Sequence, residues 1–439
     1  MRREFALIAV ATIAGAVLVG RCQSTPTPAP KPAPVALTLA QAEKIALQQN
    51  PHVQIARLIA LAEGQVRREA RAANLPVLTG DMTAVDSHDG SRITAGGLNN
   101  PVIYQRAAGG VTLSQLMTDF GRTHALVSSA DLSARAAESN ESASREDVLL
   151  AVDEAFYHAL ASQAILLVAQ QTVATRQATA DQVRALAEAK LRSELDLSFA
   201  NVDLQQAKLL LLNATNDNQE SQAALNAILG EELPAVYTLV DETPAAPAPA
   251  PEDAAPLLQL AFQSRPDLAS LNLQASAAKE FSQAERDLVR PTISALGVAG
   301  DTPVRADQIT TSWYGAAGLN VSIPIFNGSL YSARATEAKF RAQAADQSVQ
   351  QLRQTIARDV TDTALEAQSG FQRIDVSRQL LQQANSAFDL AQTRYKLGLS
   401  SIVELSQAQL AQTQAQIAYA SARYAYQQTL AALRFQTGQ

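Results

Sequence analysis

Two pairs of prolines mark the same helix boundaries twice. Asn50-Pro51 and Leu75-Pro76 return as Arg265-Pro266 and Arg290-Pro291, an offset of 215 positions (51 to 266, 76 to 291). Proline lacks a donor and restricts the residue before it, so each pair brackets one helical stretch. Further on, Asp119-Phe120-Gly121 precedes a very long helical pattern that closes near Leu195-Asp196-Leu197. Asn327-Gly328-Ser329 precedes a matching one that closes near Val403-Glu404-Leu405, now at an offset of 208 (119 to 327). The long patterns therefore share one length, and the seven-residue difference (215 against 208) falls between Pro76 and Asp119, where the chain is least helical. Insertions collect in exposed loops and are excluded from packed elements. A duplicated chain whose long helices keep their length reads as a rod built from two similar arms.

Composition fits that reading. Apolar residues make up 47% of the 439 residues but aromatics only 5%, with Ala and Gln recurring throughout. Small residues suit long helices packed side by side better than a thick core. The formal charge is −7, and no basic stripe appears, so nucleic acid is not an expected partner. Residues 1–22 read as an export signal, with Arg2 and Arg3 ahead of an apolar run from Phe5 to Gly20. Cys22 is the single cysteine, so no intramolecular disulfide can form. Its position is similar to the lipid-attachment cysteine of bacterial lipoproteins, with the Pro-rich stretch 23–36 as a tether. Arg21 departs from the Gly, Ala or Ser normal at that place, which leaves an ordinary cleaved signal as the alternative.

Along the mature chain, a first repeat is expected over 37–230 and a second over 256–439. A helix is expected from Leu37 to Gln49, then another from Pro51 to Leu75. Strands are expected at about 77–85 and 107–117, the second interrupted by Gly109-Gly110, around a polar loop from Asp86 to Arg106. The second half repeats this, with strands at about 292–300 and 313–326. Between the repeats, 231–255 holds a Pro/Ala run and reads as an exposed spacer. The long helices carry a 3–4 apolar spacing: Val148, Val152, Ala155, Ala159, Leu166, Ala169, Val173, Ala180, Val183 and Ala187 in one, Ile374, Leu381, Ala384, Phe388, Ala391 and Tyr395 in the other. This is coiled-coil patterning, and a helix from Arg122 to Glu188 would span on the order of 100 Å at about 1.5 Å per residue. The four histidines are scattered, no Ser/His/Asp set or phosphate loop appears, and Asp153-Glu154 reads as a solvated face. Neither enzyme activity nor a metal or cofactor is expected.

Order, spacing and duplication together resemble the TolC-like outer membrane efflux proteins. Gln115-Leu116-Met117-Thr118-Asp119-Phe120-Gly121-Arg122 and Ile323-Pro324-Ile325-Phe326-Asn327-Gly328 look like the family's two strand-to-helix junctions. Tyr395-Lys396-Leu397-Gly398-Leu399-Ser400-Ser401-Ile402-Val403-Glu404-Leu405 looks like its second hairpin tip, and Ala189 to Leu197 occupies the first. The resemblance implies a mainly α fold with β, a homotrimer, a closed barrel of about twelve strands in outer-membrane lipid, and a helical tunnel in the periplasm. The barrel argument also stands on physics: four strands cannot close, and open edges cannot sit in lipid.

A duct needs no catalytic group, so the resemblance directs attention to gate, docking surface and membrane girdle. It places Asp196 and Glu404 as acidic pore-facing residues at the tips, with helix capping as the other reading of both. The family's latching Arg falls on Ser400 here, leaving Arg192 and Arg394 as substitutes. Leu397-Gly398-Leu399 resembles the motif that meets a periplasmic adaptor (membrane fusion) protein. The first tip offers Lys190 and Leu191, with Lys190 where the glycine would be, so the two docking sites are expected to be unequal. Trp313, Tyr314 and Tyr104 stand where strands return from external loops and read as an interface girdle. The function implied is the passive exit duct of a tripartite efflux or type I secretion system, coupled through its adaptor to an inner-membrane pump. The alternative is a periplasmic coiled-coil scaffold or adaptor-like protein with no pore, in which the hairpins would pack on a small core.

Overall fold

The computed structural model describes residues 35–88, 105–231, 237–242, 249, 251, 253–305 and 310–439. The signal segment with Cys22, most of the tether, Tyr104 and most of the Pro/Ala run lie outside the described residues. The first half runs β1 (Val35–Leu37), α1 (Leu39–Gln49), α2 (Pro51–Ala72), β2 (Val77–Val85), β3 (Arg106–Thr118), α3 (Arg122–Glu188) and α4 (Glu194–Leu229). After β4 (Tyr237–Leu239) the second half runs α5 (Ala255–Ser264), α6 (Pro266–Arg286), a 3-10 turn (Asp287–Val289), β5 (Thr292–Val304), β6 (Trp313–Ser322), α7 (Leu330–Lys396) and α8 (Ile402–Thr437). The paired long helices are equal, 67 residues in α3 and α7 and 36 in α4 and α8. At about 1.5 Å per residue the longer pair spans on the order of 100 Å.

Local chemistry sets the helix ends. Thr38 caps α1 with a reciprocal bond to Gln41, so Leu37 is strand rather than helix as the sequence predicted. Asn50 accepts from the His52 amide and Pro51 takes the first helical position of α2. At the strand-to-helix junction, Asp119 accepts from the Thr123 amide at 2.7 Å and from its hydroxyl at 2.5 Å. Arg290 locks the same corner from the other half, pairing with Asp287 at 3.2 Å and donating to the Phe120 carbonyl.

Of the expected seam, Val148, Val152, Ala159, Ala169, Ala180, Val183 and Ala187 are buried, as are Ile374, Ala384, Phe388, Ala391 and Tyr395; Ala155, Leu166, Val173 and Leu381 are half-buried. The principal core gathers at mid-length, where Val152, Phe156 and Leu160 of α3 meet Leu225 and Leu229 of α4, Ala42 and Ala46 of α1, and Tyr424 of α8.

Further boundaries differ from the sequence reading. α2 ends at Ala72, short of Leu75, because the Asn74 and Leu75 amides donate three residues back, to the Arg71 and Ala72 carbonyls at 3.1 and 2.9 Å. β5 runs on past Gly300 to Val304 because the Thr302 amide donates to the Ser312 carbonyl at 2.8 Å and prolongs the hairpin. β6 stops at Ser322, short of 326, since Pro324 has no amide to donate and restricts Ile323. β3 is Arg106–Thr118, one residue longer at each end. The spacer 231–255 is not wholly free: β4 pairs in parallel with β1, Leu239 is buried, and Asp241 accepts from the Tyr424 hydroxyl at 2.8 Å. Tyr424 is pushed up to about 12 by burial and that bond.

Candidate functional site

The two hairpins form one sheet in the order β2-β3-β5-β6, entirely antiparallel. Its register sorts side chains by face, because successive residues point to opposite sides. One face carries Leu78 and Met82 of β2, Val111 and Leu113 of β3, Ala295 and Ala299 of β5, and Trp313, Ala317, Leu319 and Val321 of β6. The other carries Thr79, Asp81, Thr83, Thr112, Ser114, Ser294, Asn320 and Ser322, with Leu296 and Val298 among them. Both faces are open along β2 and β6, and on the apolar one Met82 is 93% exposed and Leu319 71%. β2 and β6 leave unpaired edges. Among the described residues no helix is long and apolar enough to cross a membrane.

The expected girdle divides across this sheet. Trp313 and Tyr314 are neighbours on one strand and therefore lie on opposite faces, so they cannot both meet lipid. Trp313 belongs to the apolar face and lays its indole over Gly315. Tyr314 belongs to the polar face and crosses Gly300 and Gly110, where any Cβ would collide with its ring or hydroxyl. Gly110, the second glycine of the step that interrupts the alternation of β3, thus provides part of the floor under a tyrosine two strands away.

The far ends of the long helices form two tips. In the first, Lys190 adopts φ 59°, the left-handed conformation that Gly398 takes at φ 75° in the second. A side chain there costs roughly 1–2 kcal/mol. Ser193 then caps α4: its hydroxyl accepts from the Asp196 amide at 3.1 Å, and the Asp196 carboxylate accepts from the Ser193 amide at 3.3 Å. Ser401 caps α8 in the same way through the Glu404 amide at 3.3 Å, but the Glu404 carboxylate turns to Arg394 at 3.1 Å. Arg394 also donates to the Leu399 carbonyl at 3.3 Å and stays within its own tip. Arg192 is the residue that joins the tips. It donates to the Tyr395 carbonyl at 3.2 Å and lies 4.6 Å over the Tyr395 ring. Leu191, Leu397 and Leu399 are exposed beside Lys190 and Gly398.

Two polar groups in the helical body depart from the sequence reading, one passed over and one read as solvated. Arg176, with a side chain 8% exposed, bonds to Asp203 at 3.1 Å and to the Gln409 carboxamide. The second is Asp153, which is 7% exposed rather than solvated, unlike Glu154 beside it. It pairs with Arg434 at 3.3 Å, yet burial and the facing Glu43 push its carboxyl up to about 7. The folded chain therefore holds a proton that the unfolded chain, with an ordinary value of 3.8, releases. Its contribution is fully present below about pH 4 and is lost as the pH rises through about 7. Thermal melts between pH 5 and 8 should show wild-type stability falling with pH and Asp153→Asn flattening that fall; equal slopes contradict the assignment.

Comparison with known proteins agrees with this architecture. The model of the family "Outer membrane efflux protein" matches residues 44–231 and 257–439. Two curated relatives come from Pseudomonas putida. The probable efflux pump outer membrane protein TtgC is 23% identical over 297 residues, 66% of this chain and 60% of its own length. The solvent efflux pump outer membrane protein SrpC is 24% identical over 368 residues, 83% of this chain and 77% of its own. The chain thus spans only about three-fifths of TtgC. Among solved structures, the outer-membrane channel OprN superposes with a TM-score of 0.80 at 19% identity, covering 91% of this chain and 89% of that one. The open state of the Neisseria gonorrhoeae MtrE outer membrane channel gives 0.75 at 20% identity, covering 91% and 88%. With both halves accounted for by one family model, and its fold shared along nine-tenths of its length, the chain belongs to the outer membrane efflux protein family, TolC-like in fold and resident in the outer membrane.

Proposed function

We propose that the protein is the exit duct of a tripartite efflux or type I secretion system, a passive conduit that a periplasmic adaptor and an inner-membrane pump open at its helical tips. The observation that carries this reading is the two-faced sheet with two open edges. An apolar face left uncovered by the helices is stable in lipid, and unpaired edges are not. Three copies joined edge to edge, β2 of one against β6 of the next, give twelve strands and remove every edge. The same closure turns the polar face toward a water-filled lumen. In a scaffold without a pore the sheet would instead be covered by its own helices, and among the described residues none packs along it.

At the other end, the Arg192–Tyr395 contact fills the place of the missing Arg at Ser400 and holds the tips closed within each protomer. Leu397, Gly398 and Leu399, with Lys190 and Leu191 as a second and unequal set, form the adaptor surface. Asp196 and Glu404 ring the entrance in three copies each, and a narrow ring of carboxylates favours cations. Capping and ring roles coexist, since each acid sits in the first turn of its helix. Asp196→Asn with Glu404→Gln keeps the shape of both side chains while removing both charges. In planar bilayers under a salt gradient, the wild type should show cation preference and the double variant should lose most of it. An unchanged reversal potential would remove both residues from the pore.

A further inference from the structure

The two helical hairpins of a protomer meet at two levels near the tips. The lower is the Arg192–Tyr395 contact. The upper lies 12 positions back from the end of α3, from Glu188 to Arg176, or about 18 Å at about 1.5 Å per residue. There Arg176 of α3 bonds to Asp203 of α4 and to Gln409 of α8, and Asp203 accepts from Ser406 of α8 as well. Gln409 returns a bond to Thr179 at 3.3 Å. One polar knot therefore ties α8 to both helices of the first hairpin. Below it the seam is apolar, with Val183, Leu204, Phe388 and Leu405 packed together. Beside it lies a small cavity of about 140 Å³ whose walls include Thr172, Thr175, Gln412 and Thr413. At roughly 30 Å³ per molecule that space suits a few waters.

A buried ion pair is weak support for stability, because desolvation offsets most of its attraction; its best-attested use is to fix register or act as a switch. A polar residue at a coiled-coil seam does the same at a cost in stability. Arg176 sits on the seam, four residues before Ala180 and seven after Ala169, where removing it alone would leave the Asp203 carboxylate without its cation. The polar cavity, which Arg176 and Gln409 both line, gives the guanidinium and the carboxamide somewhere to exchange their partners for water when the hairpins part.

Resting on the gated-duct reading above, we propose that Arg176 is a positioning residue of the gate: through Asp203 and Gln409 it holds α8 to the first hairpin in the closed state and releases it when the entrance opens. Loss of the tip contact alone then opens the entrance only in part.

The test is single-channel recording of the purified full-length protein in planar bilayers, without adaptor or pump, alongside thermal melts of the same samples. Arg176→Met should raise the open fraction about tenfold, the shift expected from losing a charged hydrogen bond. Ser406→Ala, a milder change that leaves Arg176 paired, should raise it by a smaller factor. Arg176→Asp combined with Asp203→Arg should return it toward wild type. Arg192→Ala added to Arg176→Met should exceed either single variant. An open fraction unchanged in Arg176→Met and Ser406→Ala, whatever their melts, would mean that the knot is static and overturn the proposal while leaving the duct intact. Absence of any conductance in wild type and all variants would overturn the duct, and the proposal with it.

Discussion

Leu319→Arg is expected to abolish assembly in the outer membrane, whereas the same change one residue on, Asn320→Arg, is expected to leave it intact. The two positions share a strand, a depth and a high exposure, and differ in the face they occupy. Leu319 lies six residues from Trp313 along β6, which places it near the middle of a span of nine to eleven residues. A charged side chain on the lipid face there costs about 2–4 kcal/mol, and the proposed closed barrel of three chains would carry it three times. On the lumen face the guanidinium remains in water. The measurement is the yield of heat-modifiable oligomer in isolated outer membranes. Equal yields from the two variants, in either direction, would contradict the assignment of faces.

Phe156→Ala is expected to cost about 3–5 kcal/mol, the range for removing a fully buried aromatic ring. Phe156 is 2% exposed and stands at mid-length among α1, α4 and α8, with Tyr157 edge-on at 6.1 Å. Elsewhere the seams are made largely of Ala, so little neighbouring bulk is available to collapse into the cavity. The loss should appear in chemical denaturation as a lower midpoint with the slope unchanged. Val173, half-buried on the same helix, makes the contrast: Val173→Ala should cost much less. A midpoint for Phe156→Ala no lower than that of Val173→Ala would move the core away from mid-length.

What was legible in the sequence was what repeated. Equal helix lengths followed from equal spacing between strand-to-helix junctions and tips, and the tip alignment went as far as placing Lys190 at the position of Gly398, where the backbone is indeed left-handed in both. The 3–4 seam was readable because burial in a coiled coil is a one-dimensional property. Arg176 was readable too, since it falls between Val173 and Ala180 on that seam, but a charged residue is not counted when only apolar positions are. Asp153 was read as solvated for a related reason: α1 and α8 pack against α3 there, so two sides of the helix are covered rather than one. Pairing across long separations was hidden altogether. β1 and β4 are three residues each and some 200 positions apart, too short to leave a period. The division of Trp313 from Tyr314 required only strand alternation, which a reading of both as strand-end aromatics overlooked.

The central claim is that three copies close one continuous duct. Electron microscopy of the protein extracted from membranes in detergent tests it most directly. The account expects three-fold cylinders with a detergent belt at one end and a protruding helical tube on the order of 100 Å long. Isolated rods, or particles without a belt, would contradict it and restore the scaffold reading.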